Sequence, residues 1–121
     1  MLKPIPSKIM RSECVVKVCT GMDMYQNQTY NEQYNVKRVH LQPTERIMKS
    51  TGNTDLQLSS VLFVDAKRST PALDWRALLK KAHDNGGDMR VIVRGIEYTA
   101  AAADGLRDDS DRLHHWEIAL V

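Results

Sequence analysis

The sequence has a single phenylalanine, and aromatic residues make up only 6% of its 121 positions. A small barrel that binds single-stranded nucleic acid stacks bases on aromatics set among positive charge, and this chain has little to stack with. Its tyrosines concentrate between Tyr25 and Tyr34, a stretch without Lys or Arg. The basic residues fall instead in separate pairs, Lys37-Arg38, Lys67-Arg68 and Lys80-Lys81, which read as solvated faces. The formal net charge of +2 is too small to imply a polyanionic partner. No apolar run approaches the roughly 20 residues of a membrane span. The opening Met1-Leu2-Lys3-Pro4-Ile5-Pro6 is broken by two prolines and has no signal-peptide apolar core.

Cysteine is also scarce. Cys14 and Cys19 lie in one segment with strand character. Five strand steps would put them roughly 16 Å apart on opposite faces. A disulfide needs Cα atoms within about 7 Å, so the two are expected to be reduced, core-type thiols of a reducing compartment.

The signatures of catalysis are missing too. There is no Gly-x-Ser-x-Gly, no helix-opening cysteine near a histidine and no phosphate-binding glycine loop. His114-His115-Trp116-Glu117 invites a metal reading, but neighbouring strand residues face opposite sides, so one histidine is expected at the core rim and one in solvent. The acidic run from Asp104 fails as a calcium loop: its sixth position is Asp109 where glycine is needed, and its twelfth is His115 where glutamate is needed. Neither a metal nor a cofactor is expected, and neither is an enzyme.

What the chain does have is strand periodicity over a length suited to one domain. Residues 13–20 alternate, with Cys14, Val16 and Val18 on one face. Residues 34–42 change phase at Lys37-Arg38, which predicts a bulge or a bend. Residues 56–66 read as one strand, apolar on both faces near 61–64 and hence central or sandwiched. Met89–Val93 and Ile96–Ala102 flank Arg94-Gly95, a two-residue hairpin turn. Leu113–Val121 closes the chain, with Trp116, Ile118 and Leu120 on one face and the end tied into the sheet. One segment has helical period: Trp75, Leu78, Leu79 and Ala82 predict a helix over 71–84, with Thr70 as N-cap, Pro71 in first position and Asn85-Gly86-Gly87 as the stop. The expected fold is mainly β: a small antiparallel β-barrel or β-sandwich of about six strands, with the helix inserted near 71–84. Residues 20–33, 49–55 and 103–112 are expected as loops.

Three stretches resemble a family of phage minor capsid proteins. They are Pro4-Ile5-Pro6 through Ile9-Met10 with the first strand; Val39-x-Leu41-x-Pro43-x-x-x-Ile47-x-x-Ser50 followed by Leu62-Phe63-Val64-Asp65-Ala66-x-x-Ser69-Thr70-Pro71; and Gly95-Ile96-Glu97-Tyr98-Thr99 with Leu113-His114-His115-Trp116-Glu117-Ile118. Against the family pattern, the 71–84 helix reads as an elaboration. The resemblance implies a virion protein of the phage neck, assembled in the host cytoplasm. It would form a ring, a hexamer or a dodecamer, under the portal or adaptor, close the DNA-filled head and offer a docking face to tail terminator or tail-tube proteins. Packaged double-stranded DNA would pass through without sequence-specific contacts, and no membrane is involved. Such a ring needs two different sticky faces. Exposed sheet edges and long loops can supply them by strand addition and loop insertion. The 20–33 loop is the main candidate, with Met22, Met24, Tyr25 and Tyr30 as anchors, since Met and aromatic side chains are enriched at interfaces. The same residues could instead fold the loop onto its own barrel. Pro4, Ile5 and Met10 lie on an N-terminal arm, residues 1–12, that could reach a neighbour. The alternative from another class is a small OB-like barrel that binds single-stranded nucleic acid with steep salt dependence.

Overall fold

The computed structural model describes residues 11–49 and 55–121. Pro4, Ile5, Met10 and most of the expected 49–55 loop lie outside the described residues. The elements run β1 (Ser12–Val18), β2 (Gly21–Met22), β3 (Gln28–Thr29), β4 (Glu32–Pro43), β5 (Ile47–Lys49), β6 (Asp55–Gln57), β7 (Ser60–Asp65), α1 (Trp75–Asp84), β8 (Met89–Val93), β9 (Ile96–Arg107) and β10 (Leu113–Leu120). Six strands close a barrel in the order β1-β4-β7-β10-β9-β8, every neighbouring pair antiparallel. The two short hairpins β2–β3 and β5–β6 stand apart from it.

The barrel follows from period-two patterning. Cys14, Val16 and Val18 of β1 point inward with Val91 and Val93, Leu62 and Val64, and Ile118 and Leu120. On β4 the inward set is Val36 and Val39, three apart rather than two or four. Arg38 is the reason: it takes φ 63° as the extra residue of a bulge opposite Ser12 and Glu13, so Val39 returns to the core. The β8–β9 turn puts both Arg94 and Gly95 at positive φ, the two-residue geometry that matches strand twist. The last residue is held as expected: Val121 N–H donates to Thr99 C=O and Thr99 N–H to Val121 C=O. Closure leaves the barrel without a free edge, so strand addition onto it is not open, contrary to the sequence expectation; among the described residues only the small hairpins keep edges.

Trp75, Leu79 and Ala82 are buried in the same cluster as the inward-facing barrel residues. An inward face is reachable only through a barrel end, so α1 closes one end, lying against β9, β1 and β8. The helix starts later than the sequence suggests. Thr70 cannot cap it, because Thr70 and Lys37 exchange backbone hydrogen bonds across an antiparallel bridge. Asp74 is the N-cap instead, its carboxylate accepting from Ala77 N–H.

Four further expectations change. Residues 56–66 are two strands, since the chain bends at Leu58 and Ser59 so that Leu58 N–H reaches Arg46 C=O and Ser59 N–H reaches Leu120 C=O. Residues 103–107 are strand, because β9 runs on to Arg107 against β10. Residues 20–33 contain the β2–β3 hairpin rather than an open loop. Cys19 is not on the face opposite Cys14: β1 ends at Val18, and the chain turns Cys19 into the same core. Both thiols are buried and unbridged, and burial pushes the Cys14 thiol up to about 12.

Candidate assembly surface

The β2–β3 hairpin ends in a five-residue turn organised by one side chain. Asp23 Oδ1 accepts from the N–H groups of Tyr25 (2.8 Å) and Asn27 (2.9 Å). Asp23 N–H donates to Asn27 C=O at 2.9 Å, Gln26 N–H donates to Asp23 C=O at 3.1 Å, and Gln26 takes φ 64°. These bonds to Asn27 and Tyr25 hold the Asp23 carboxyl below the usual carboxylate range. The result is a fixed platform with Met24 83% and Tyr25 77% exposed at its tip, and Met22 lower on the stem.

The stem is fastened to the end of α1. Gln28 Oε1 accepts from Asp88 N–H and from the Tyr30 hydroxyl, both at 2.8 Å, and Gln28 Nε2 donates to Asp88 Oδ2 at 3.2 Å. Asn85 Nδ2 donates to Cys19 C=O at 3.0 Å. Gly87 permits the approach, because a Cβ there would collide with Cys19 Sγ and Gln28 Oε1. Tyr30 therefore differs from the other three anchor candidates. It packs partly buried on the core under the Lys17 ammonium, whose Nζ lies 5.1 Å from its ring centre.

At the other end of α1, a cavity of about 440 Å³ opens between the helix start and the β9–β10 end. Leu73, Leu113 and Trp116 form its apolar lining and Asp74, Arg76 and Arg107 its polar rim, with Asp104 3.8 Å from Arg76 and Asp111 3.9 Å from Arg107. Gly105 keeps the floor open, since a Cβ there would stand 3.0 Å from Leu113 Cδ1 and 3.1 Å from Trp116 Cζ3.

Two groupings were hidden in the sequence. Bonds between Lys37 and Thr70, and from Ser69 Oγ to Arg38 C=O at 2.5 Å, draw two distant basic pairs into one exposed corner of Lys37, Arg38, Lys67 and Arg68. The pairs are far apart in sequence, and only the bridge signals their meeting. A second bulge, between Leu113 and His115, breaks strand alternation and brings the two imidazoles together, Nδ1 to Nδ1 at 2.7 Å. Opposite faces for His114 and His115 are thus ruled out; one ring donates and the other accepts. His115 Nε2 also lies 3.4 Å from Glu117 Oε2. Among the described residues no group of three or more His, Cys, Asp or Glu is placed to hold a metal ion, and no helix is long and apolar enough to cross a membrane.

A closed barrel that lifts Met and Tyr on a rigid hairpin has the build of a structural assembly module. The sequence agrees: a family model described as minor capsid protein matches residues 6–120, and the chain belongs to that family. It is a phage structural protein, a component of the virion. No curated protein matches the chain.

Proposed function

We propose that this chain is a neck protein. Copies form a ring beneath the portal or adaptor, close the DNA-filled head and give the tail terminator or tail-tube proteins a docking face. The observation that carries this reading is the hairpin tip. Two large apolar side chains, Met24 and Tyr25, stand in solvent on a turn too well bonded to fold them away. Pre-organised anchors of this kind cut the ordering cost of association. The test mixes the purified chain with DNA-filled, tail-less capsids of the cognate phage and measures bound copies and DNA retention. Stoichiometric binding with better retention is expected. Capsids that bind none of the chain would overturn the neck assignment.

The basic corner favours a second reading, binding to nucleic acid by charge alone. Four cations at Lys37, Arg38, Lys67 and Arg68 can each displace a phosphate counterion. No tyrosine lies on this corner, so base stacking adds nothing evident. Affinity of the free chain for single-stranded DNA would then fall with salt along a log–log slope no steeper than about −3, from four contacts at ~0.7 each. Tight salt-resistant binding would contradict both readings.

A further inference from the structure

We infer that Asn85-Gly86 is a modification site: Asn85 deamidates when the β2–β3 hairpin lifts from the end of α1, and the conversion keeps the hairpin from docking again. The chemistry is independent of the neck assignment.

The fold itself demands this labile pair. Gly86 takes φ 83°, a conformation that side chains disfavour, and Met22 Cε would lie 3.5 Å from a Cβ there. Asn85 is needed as a donor: its Nδ2 holds Cys19 C=O at 3.0 Å, while Cys19 N–H donates to Asp88 C=O at 3.1 Å. Glycine after asparagine also leaves the next backbone nitrogen least hindered in reaching the side-chain amide, and the pair occurs once in the sequence. Base takes the Gly86 amide proton. The nitrogen attacks Asn85 Cγ, and the side-chain amide leaves as ammonia with a proton from water. Water then opens the cyclic imide at either carbonyl, giving aspartate or isoaspartate. No reactant besides water and base is needed.

Docking blocks each part of that step. At ψ 5° Gly86 N lies beside the backbone nitrogen of Asn85, whereas the five-membered ring closes only with it beside Cβ. The Gly86 N–H is given to His83 C=O at 3.0 Å, and the Asn85 amide to Cys19. Gly87 abuts Cys19 and Gln28, so the peptide cannot turn while the stem is seated. Lifting the stem frees the Asn85 amide, because the partner of that amide belongs to the stem. After conversion the new carboxylate has no proton to donate, and it opposes the Cys19 carbonyl as a second acceptor. Isoaspartate also adds a carbon to the main chain. On the assembly reading above, a free subunit thus loses its Met24–Tyr25 platform with age, and a partner seated on the tip slows the loss by mass action.

The test incubates the full chain in mildly alkaline buffer and follows conversion at Asn85 by peptide mass spectrometry. Four samples are compared: the native chain, the chain in urea, Gln28→Ala and Gly87→Ala. Both variants loosen the stem without touching the reacting amide. The native chain should convert at least about tenfold more slowly than the chain in urea, since local opening is a minor state. Each variant should convert about fivefold faster than native or more, the effect on opening of one lost hydrogen bond. In Asn85→Asp, amide exchange at Cys19 and Asp88 should quicken about fivefold, while Val16 and Val91 in the barrel keep their protection. Native conversion as fast as in urea, or variants no faster than native, overturns the gating by the hairpin. Unchanged exchange at Cys19 and Asp88 in Asn85→Asp overturns the loss of docking. Capsid binding enters none of these readouts, so they stand or fall apart from the neck assignment.

Discussion

Two turns of this molecule share one backbone design. In Asp23–Asn27 and in Asp108–Arg112, the first aspartate accepts from the N–H groups two and four residues on, and the fourth residue has positive φ, 64° at Gln26 and 59° at Asp111. Both close with a bond from the first N–H to the fifth C=O, at 2.9 and 2.8 Å. They differ in what they carry. The first lifts Met24 and Tyr25; the second lifts Asp109 and Ser110. Exposed polar residues on a turn cost nothing to solvate, whereas two exposed apolar anchors give up hydrophobic stabilisation unless something covers them. The difference teaches that turn geometry alone does not mark a functional surface; the side chains on it do.

The largest expected effect breaks that comparison at its payload. Met24→Ala with Tyr25→Ala should lower capsid binding at least roughly 30-fold, the loss of one hot spot of ~2 kcal/mol. Asp109→Ala with Ser110→Ala should change it less than about twofold, as ordinary surface substitutions do. Equal losses from both pairs, read as bound copies per capsid, would refute the distinction. Next comes the close contact behind the first turn. Gly87→Ala forces a methyl against Cys19 and Gln28 and should cost about 1–3 kcal/mol in urea unfolding.

Smaller effects sharpen the shared design. Asp23→Ala and Asp108→Ala should speed amide exchange of their own turns alike, yet only the first should weaken capsid binding, and by less than the double substitution. The smallest effect is on pH. Both aspartates are held below the ordinary carboxylate value, Asp23 chiefly by Asn27 N–H and Asp108 chiefly by Arg112 N–H. A depressed folded pKa means that the contribution is present above the unfolded value near ~4 and is lost as pH falls through the folded one. Exchange at Tyr25, Asn27, Ser110 and Arg112 should therefore quicken together below about pH 4. Protection that persisted at one turn alone would separate them.

Much of the barrel was legible because burial on one face writes a period of two into β1, β8 and β10, and the Lys37-Arg38 phase change wrote the bulge. The β9 extension was not, since Asp104-Gly105-Leu106-Arg107 has turn composition and becomes strand only because β10 pairs with it. Thr70-Pro71 read as a helix start by local chemistry, and a tertiary bridge to Lys37 outweighed it. At the candidate surface, Met22, Met24 and Tyr25 could be named from composition. The Asp23 turn that fixes them and the stem that claims Tyr30 depend on Gln28 and Asp88, sixty positions apart. The cavity has no sequence signature at all, because its walls come from three separate segments.

Burial of the first-strand thiol has a chemical consequence. With its pKa raised to about 12 by burial, Cys14 stays in the thiol form at neutral pH. Peroxide and disulfide exchange attack through the thiolate. In a virion component, the buried thiol is thus held in a form with which oxidants hardly react, and the barrel keeps its packing around it.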